Sequence, residues 1–438
     1  MAQPLIPTYD IIGVGFGPSN IALAIALEEI NNNSTTLNAL FIDKQPEYQW
    51  HGDTITSQSG LQVSFLKDLV TLRNPTSPYS FLNYLHSHNR LVDFINLSTF
   101  YPSRLEFNDY LRWVAGHFSA QCQYGEKVTS IEPVMDNQKV KLLKVITTDI
   151  GGTSKARFTK SLVMGTGGTP LIPKVFQPLK QTPLVFHHTH YLSKMTKLIP
   201  VKTKDLRIAI IGGGQSAAEA FIDIDDNYPN AKVDLIMRGN SMKPADSSPY
   251  VNEIFNPSST DSIFSKTLQE REELLKEYKY ANYSAVDSAM IEQIYNIFYQ
   301  QKVAMVEQHK YCPNNEVTQA SEKSGQITLS ILDKKSNKHA TNNYDLVILA
   351  TGYERPKMAP MLEPIKDYLG NIDIDRNYQV KADDRFLPSL FLQGRSESTH
   401  GLSDTLLSVL SMRSAEIAFS LQAELREKVQ QVATTALA

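Results

Sequence analysis

The chain has 438 residues, which at roughly 150 residues per domain is enough for two to three folding units. Apolar residues make up 42% and charged residues 20%, a globular profile that excludes disordered and fibrous classes. Lys plus Arg total 43 against 46 Asp plus Glu, a net −3 that offers neither the basic stripe needed for nucleic-acid binding nor a polybasic membrane anchor. The two cysteines, Cys122 and Cys312, form no C-x-x-C pair, so thiols supply no disulfide framework, dithiol relay or zinc site, and both read as reduced thiols of a cytoplasmic protein. The N-terminus has no cationic start, and the longest early apolar run, Ile21 to Leu27, is far short of a membrane span.

In chain order, a β-branched strand is predicted over residues 10–14. It runs into Gly13-Val14-Gly15-Phe16-Gly17-Pro18-Ser19-Asn20 and a helix over 21–29, and a second strand, Ala39–Ile42, ends on Asp43. This makes one βαβ unit. Residues 44–120 read as an aromatic-rich elaboration packed on it. A strand over 161–164 enters Gly165-Thr166-Gly167-Gly168, after which Pro170, Pro173, Pro178 and Pro183 make a stiff connection. Beyond it the pattern repeats: a strand over 207–211, Gly212-Gly213-Gly214-Gln215-Ser216-Ala217, a helix to about residue 225, and a strand over 232–237 ending on Arg238. Residues 245–303 are mostly helical, with Ile291, Ile294, Tyr295 and Phe298 spaced as a core-facing stripe and Ser284 to Asp287 as a capping start. A strand over 344–349 enters Ala350-Thr351-Gly352-Tyr353-Glu354-Arg355, and a last strand over 390–392 precedes a helix starting near Ser403. The expectation is an α/β fold with two Rossmann-like dinucleotide-binding domains and a small helical substrate domain. The first dinucleotide domain takes 1–168 and 344–438, the second 169–245 and 304–343, and the substrate domain 246–303.

Gly13 and Gly15 hold the first two places of a G-x-G-x-x-G fingerprint, with Gly17 inside it and Pro18 in the third place. Glycines there permit a tight turn and let the backbone approach a pyrophosphate at the helix N-terminus. Asp43 is placed to accept a hydrogen bond from a ribose hydroxyl. In the second turn Gly212, Gly214 and Ala217 make the alanine variant, with Gln215 and Ser216 between. Arg238 stands where an acid would select NAD, and a guanidinium there pairs with the 2′-phosphate of NADP. An acid in one unit and a base in the other imply FAD in the first and NADPH in the second, hence hydride transfer to a flavin. The late helix would aim its positive end at the anionic reduced flavin.

Six runs carry a resemblance: Gly13 to Asn20 as quoted, Phe65-Leu66-Lys67-Asp68-Leu69, Asn74-Pro75-Thr76-Ser77-Pro78-Tyr79-Ser80-Phe81, Gly212-Gly213-Gly214-Gln215-Ser216-Ala217-Ala218-Glu219, Ala350-Thr351-Gly352-Tyr353-Glu354 and His400-Gly401-Leu402-Ser403-Asp404-Thr405-Leu406-Leu407-Ser408. Over nearly the whole chain they resemble the microbial N-hydroxylating flavin monooxygenases, and within them the L-ornithine N5-monooxygenases of siderophore biosynthesis. The resemblance implies that NADPH reduces FAD, that O2 adds to give a C4a-hydroperoxyflavin, and that the side-chain primary amine of L-ornithine attacks the distal oxygen. No metal is needed. It also implies that Trp50, His51 and Gln62 line the flavin, that Lys67 and Asn252 hold the substrate, that Asn282 lies between NADP and substrate, and that Ser408 is near the amine. Tyr283, Ser284, Thr405, Leu406 and Leu407 join the cofactor-binding set, and the assembly is a homo-oligomer, commonly a tetramer. Lys67 has a physical reason to be there, since its ammonium pairs with a substrate carboxylate once water is excluded.

Two departures bear on the substrate. The ornithine enzymes typically read Asp-Asp-Ser-Pro-Phe-Val-Asn-Glu where this chain has Asp246-Ser247-Ser248-Pro249-Tyr250-Val251-Asn252-Glu253, and Thr-Asn-Tyr-Ser-Val-Val where it has Ala281-Asn282-Tyr283-Ser284-Ala285-Val286. Losing an acid and two side-chain branches beside both asparagines leaves histamine, putrescine or lysine open as alternative amines. The alternative of another class is a non-catalytic FAD- and NADP-binding redox sensor. Lys67, Asn252 and Asn282 discriminate, because a sensor has no use for an amine pocket.

Overall fold

In a computed structural model, residues 7–31, 37–57 and 59–436 are described, with side chains through residue 426. The fold is α/β and rests on two sheets. The first runs in the order Cys122–Gln123, Ala39–Ile42, Thr8–Val14, Ser154–Met164, Lys139–Asp149, Glu126–Asp136, with Ser389–Leu392 also on Ser154–Met164. That long strand serves two arrangements. On one edge residues 158–164 pair in parallel with Thr8–Val14; on the other, residues 154–159 pair antiparallel with Lys139–Asp149 and residues 161–164 in parallel with Ser389–Leu392. Its sequence is written accordingly: the 161–164 end is buried on both faces, as a parallel core strand must be, while the other end reaches solvent.

The second sheet, Lys310–Cys312, Ala231–Ile236, Leu206–Ile211, Leu346–Leu349, Val185–His187, is wholly parallel. An antiparallel triplet, Asn315–Lys323, Gln326–Asp333 and Lys338–Tyr344, leads into it. Each sheet has a helix directly after an interior strand, Pro18–Asn31 after Thr8–Val14 and Gln215–Asn227 after Leu206–Ile211. Pro18–Asn31 is buried along most of its length because the C-terminal helix Leu410–Ala436 covers the side turned away from the sheet. The chain crosses between the sheets at Thr169–Pro170 and Tyr353–Glu354, which pair antiparallel with each other. No helix among the described residues is long and apolar enough to cross a membrane.

Three expectations are corrected. The sequence pattern places residues 344–349 in the second part of the first domain, yet Leu346–Leu349 is an interior strand of the second sheet, and the chain returns only after Tyr353–Glu354. The helix expected near Ser403 begins at Leu410, because Leu402–Thr405 and Leu407–Val409 are separate single turns split by Leu406 in an extended conformation (φ −112°, ψ 169°). The stripe on Ser288–Ala304 is only partly a core face: Ile294 is 3% exposed but Tyr295 is 74% exposed, since a single neighbouring helix, Gln215–Asn227, covers one edge. Asp287 caps that helix by accepting from Ala289 N and Met290 N.

Candidate active site

Strand register fixes where the glycine fingerprints lie. Val14 stands beside Met164 as Ile211 stands beside Leu349, so Gly15 matches Gly212, Gly17 matches Gly214 and Asn20 matches Ala217. The first fingerprint is therefore Gly15-x-Gly17-x-x-Asn20, two residues later than the sequence reading placed it. Gly13 lies inside the strand, where a Cβ would stand 2.3 Å from the Phe41 ring, so it is a packing glycine; Pro18 opens the helix, where its fixed φ suits the first turn. Gly15 has φ +86°, and a Cβ there would lie 2.6 Å from the Gly165 carbonyl oxygen; Gly212 has φ +149° and meets the Ala350 carbonyl oxygen at 2.2 Å. A Cβ on Gly17 would meet nothing within 4 Å, so the mouth of the helix is open where a pyrophosphate would sit.

Asn20 is fully buried, donates from Nδ2 to the Gly15 carbonyl at 2.6 Å and accepts from Gln393 Nε2 at 2.8 Å, tying two strand ends together. Asp43 is buried, with Oδ2 accepting from Phe16 N at 2.7 Å and Oδ1 from Gln45 N at 2.8 Å. Each oxygen keeps a lone pair for a ribose hydroxyl, and the carboxylate also holds the glycine turn in place. Its counterpart in the second unit is Met237, because Ile236 pairs with Ile211 as Ile42 pairs with Val14. Arg238 lies one residue further on and is exposed.

The expected substrate residues sit on turns that adjoin one another. Phe65–Lys67 packs against Leu407–Val409, joining the turns of Lys67 and Ser408, and Val251–Phe255, with Asn252, packs on Leu402–Thr405 and on Tyr278–Ala281, next to Asn282. Ser408 is buried; Lys67 is half-buried, and burial pushes its ammonium pKa down, with no acid among the described residues to raise it. Asn252 Nδ2 donates to the Ser247 carbonyl at 3.0 Å. Tyr283 donates its hydroxyl to Glu397 and lies 3.4 Å from Thr405 Oγ1; burial and the carboxylate push its phenol up to about 12. Ser284, with φ +57°, places its Cα 3.7 Å from where a Gly214 Cβ would be, so residues 282–284 run from the amine residues to the second glycine turn. Ser216 is half-buried in the first turn of its helix, and Leu406 and Leu407 are half-buried beside Ser408.

Trp50 N donates to Asn108 Oδ1 at 2.9 Å, and the Trp50 and His51 rings meet edge to face at 5.1 Å. His51, with φ +53°, stands 6.4 Å from the Tyr353 ring. Solvent reaches the imidazole, yet protein closely surrounds it; desolvation first, then Arg104 and Arg355, push it down to about 4, so it is neutral at pH 7. Gln62 is exposed.

Residues 7–355 match the family described as L-lysine 6-monooxygenase/L-ornithine 5-monooxygenase. The chain belongs to that family. An L-ornithine N(5)-monooxygenase of Pseudomonas aeruginosa is 54% identical over 95% of this chain and 94% of its own length. The ornithine hydroxylase (PvdA) structure from Pseudomonas aeruginosa is 53% identical with a TM-score of 0.92, covering 95% of this chain and 100% of that one. The Kutzneria sp. 744 ornithine N-hydroxylase KtzI, in a form with FADred, NADP+ and L-orn, is 32% identical with a TM-score of 0.89, covering 95% and 99%. This lysine/ornithine monooxygenase family member is a flavin-dependent N-hydroxylase.

Several charged residues of the family member escaped the sequence reading. Arg413, 1% exposed, donates to Asp404 Oδ1 at 2.9 Å and to Ser19 Oγ at 2.9 Å, while Asp404 Oδ2 accepts from Ser396 N at 2.6 Å. This pair pins the 401–408 loop to the mouth of the first helix, and removing one partner of such a pair costs about 3 to 5 kcal/mol. Arg395 donates to Thr166 Oγ1 at 2.8 Å and to the Pro356 carbonyl, clasping both crossings between the sheets. Arg104 pairs with the buried Glu219. Only Glu219, an acid between Ala218 and Ala220, carried a visible signal, as a charge inside an apolar helix run.

Proposed function

We propose that this enzyme uses FAD, NADPH and O2 to hydroxylate the side-chain primary amine of L-ornithine, a step of siderophore biosynthesis. The observation that carries the reading is the meeting of the turns of Lys67, Asn252, Asn282 and Ser408 beside two dinucleotide turns. The identity to the Pseudomonas aeruginosa enzyme supports ornithine as the substrate. FAD fits the first turn, with Gly15 and Gly17 at its pyrophosphate, Asp43 at its ribose and Trp50, His51 and Gln62 along the ring. NADPH fits the second, at Gly212, Gly214, Ser216 and Ser284, with Arg238 at the 2′-phosphate. Once bound and reduced by NADPH, FAD supplies the activated oxygen.

The chain's own task is to bind, orient and keep water out. The half-desolvated Lys67 ammonium has no carboxylate partner among the described residues and takes the substrate's. Asn252 and Asn282 orient the amino-acid end, and Ser408 holds the amine. The amine must be neutral to act as nucleophile, because an ammonium has no lone pair. The departures do not displace ornithine. Asn252 is held by the backbone carbonyl of Ser247, which any residue there supplies, and Ala285 lies toward Gly214, on the NADPH side. A cytoplasmic homo-oligomer, a tetramer by family resemblance, completes the proposal and is checked by sedimentation.

The test compares NADPH oxidation with hydroxylamine yield on ornithine, lysine, putrescine and histamine. Ornithine is expected to give hydroxylamine in proportion to NADPH consumed. Robust turnover of an amine without a carboxylate, with little on ornithine, would refute the substrate and leave the chemistry standing. Cofactor binding without hydroxylamine from any amine would favour the redox sensor.

A further inference from the structure

The two dinucleotide units are joined by a buried ion pair whose acid also reaches the mouth of the second helix. Arg104 opens the helix Arg104–His117, which Ser103 caps by accepting from Glu106 N. Its guanidinium leaves the first unit and meets Glu219 on the helix Gln215–Asn227 with Nη1 on Oε2 and Nη2 on Oε1, each at 3.0 Å. The Glu219 side chain is 0% exposed and that of Arg104 18%. One helical turn earlier, Gln215 Nε2 donates to Glu219 Oε1 at 2.9 Å, and Gln215 Oε1 accepts from Asp287 N, the capping residue of Ser288–Ala304, at 2.9 Å. Both ends of the Gln215 amide are thus engaged within the protein, which makes it a structural link as well as an expected nucleotide contact. One chain of hydrogen bonds runs from the first unit, through the mouth of the second dinucleotide helix, to the helix that follows Tyr283 and Ser284.

A buried ion pair adds little net stability over an apolar replacement of the same volume. What it adds is geometry, because a planar guanidinium fork against two carboxylate oxygens fixes both distance and angle. Hydride transfer depends steeply on both, and a misplacement of about 1 Å costs on the order of 10²-fold. Arg104 also stands near enough to His51 to bear on its charge, which places the pair at the expected flavin wall.

We propose that Arg104, Glu219 and Gln215 are positioning residues that hold the mouth of the NADPH helix at a set distance from the flavin wall, governing the rate of flavin reduction and not the affinity for either cofactor. This rests on the cofactor assignment above.

The test uses the purified holoenzyme with two substitutions. Glu219→Gln keeps the shape and removes the charge; Arg104→Lys keeps the charge and removes the fork. FAD content and the NADP+ dissociation constant are measured at equilibrium, and the limiting rate of anaerobic flavin reduction is followed with NADPH and with dithionite. Reduction by NADPH is expected to slow by roughly tenfold or more in Glu219→Gln and by less in Arg104→Lys. FAD content, NADP+ affinity and dithionite reduction should stay within about twofold of wild type. If Glu219→Gln does not fold, Arg104→Lys carries the same comparison. An unchanged reduction rate in the folded variants overturns the proposal, as does a loss of NADP+ affinity as large as the loss of rate. A wild type that binds both cofactors yet is not reduced by NADPH overturns the functional reading itself.

Discussion

In the first dinucleotide unit the residue that closes the glycine fingerprint is Asn20, and in the second it is Ala217; the two units differ from there outward. Both keep a glycine at positive φ against a backbone carbonyl of the crossover turn, Gly165 in one and Ala350 in the other. Around the first turn, however, Asn20 is bonded to Gly15 and Gln393, Asp43 to Phe16 and Gln45, and Arg413 to Ser19. Around the second, the bonds of Gln215, Glu219 and Arg104 tie the helix to its neighbours, while Met237 replaces the acid and Arg238 is exposed beyond it. Walls bonded before a ligand arrives need little ordering on binding and hold the ligand through many turnovers. An exposed cation steers an anion in and discriminates among anions without making release slow. Under the assignment proposed above, one plan would thus serve a resident cofactor at the first site and an exchanging one at the second.

Substitution at matched positions breaks that comparison most sharply. Gly15→Val is strained twice, by its positive φ and by the Gly165 carbonyl, so its loss of flavin would mix folding with binding. Gly17 and Gly214 are cleaner, since a Cβ on the first meets nothing within 4 Å and on the second makes only ordinary contact with Ser284 at 3.7 Å. Gly17→Val should leave the fold intact but intrude on the pyrophosphate, giving a nearly colourless protein with roughly a tenfold or greater loss of bound FAD. Gly214→Val should stay yellow and accept electrons from dithionite but not from NADPH. Flavin lost equally from both would show that the two turns do not serve separate ligands.

Lys67→Ala sharpens the comparison from the junction, because it belongs to neither turn. Leaving a carboxylate unpaired in a partly dry pocket costs about 2 to 5 kcal/mol of productive ornithine binding. Flavin reduction should continue, leaving an uncoupled NADPH oxidase that releases hydrogen peroxide in place of hydroxylamine. Unimpaired hydroxylamine yield from ornithine would remove the carboxylate contact from the account. Arg238→Ala tests the exchanging site alone. Losing a charge-assisted phosphate contact at an exposed position should raise the NADPH half-saturation by roughly tenfold at low salt, and less as salt rises. NADH should scarcely change, and equal losses with both nucleotides would show that Arg238 does not read the phosphate.

Both βαβ units were legible because each pairs a β-branched run with a glycine turn and a helix, signals that lie within about thirty residues of one another. Register was not legible. In Gly13-Val14-Gly15-Phe16-Gly17 the fingerprint fits at two places, and only the pairing of Val14 with Met164 chooses between them. The similar turns after Met164 and Leu349 likewise hid which sheet owns Leu346–Leu349, a matter settled by strands distant in sequence. The expected substrate residues came through resemblance, and the structure sets their turns side by side. Arg104 with Glu219 lies 115 residues apart in sequence, and no local period announces such a pairing.

The smallest expected effect is on stability, and it separates the junction from the outer strands of the first sheet. Burial pushes His51 and His187 down to about 4 and His188 down to about 3. Unfolded histidines titrate near 6.5, so from about pH 6.5 down to about 4, and to about 3 for His188, the unfolded chain binds more protons than the folded one. Their contribution is therefore complete above about pH 6.5 and is lost as pH falls toward 4, with His51 giving less because solvent reaches it. Glu126 behaves otherwise: burial opposes its charge, but hydrogen bonds from Arg157, Lys155 and Thr147 prevail and hold it at about 2. Its contribution is present above about pH 4.5 and is lost only as pH falls from there toward 2. The melting temperature should consequently fall in two stages on acidification, by a few degrees in the upper one, about 2 to 4 °C for each kcal/mol in domains of this size. Replacing His187 and His188 together by Gln should flatten the stage between pH 6.5 and 4 and leave the lower one in place. An upper slope that survives the double substitution would locate its source outside the junction.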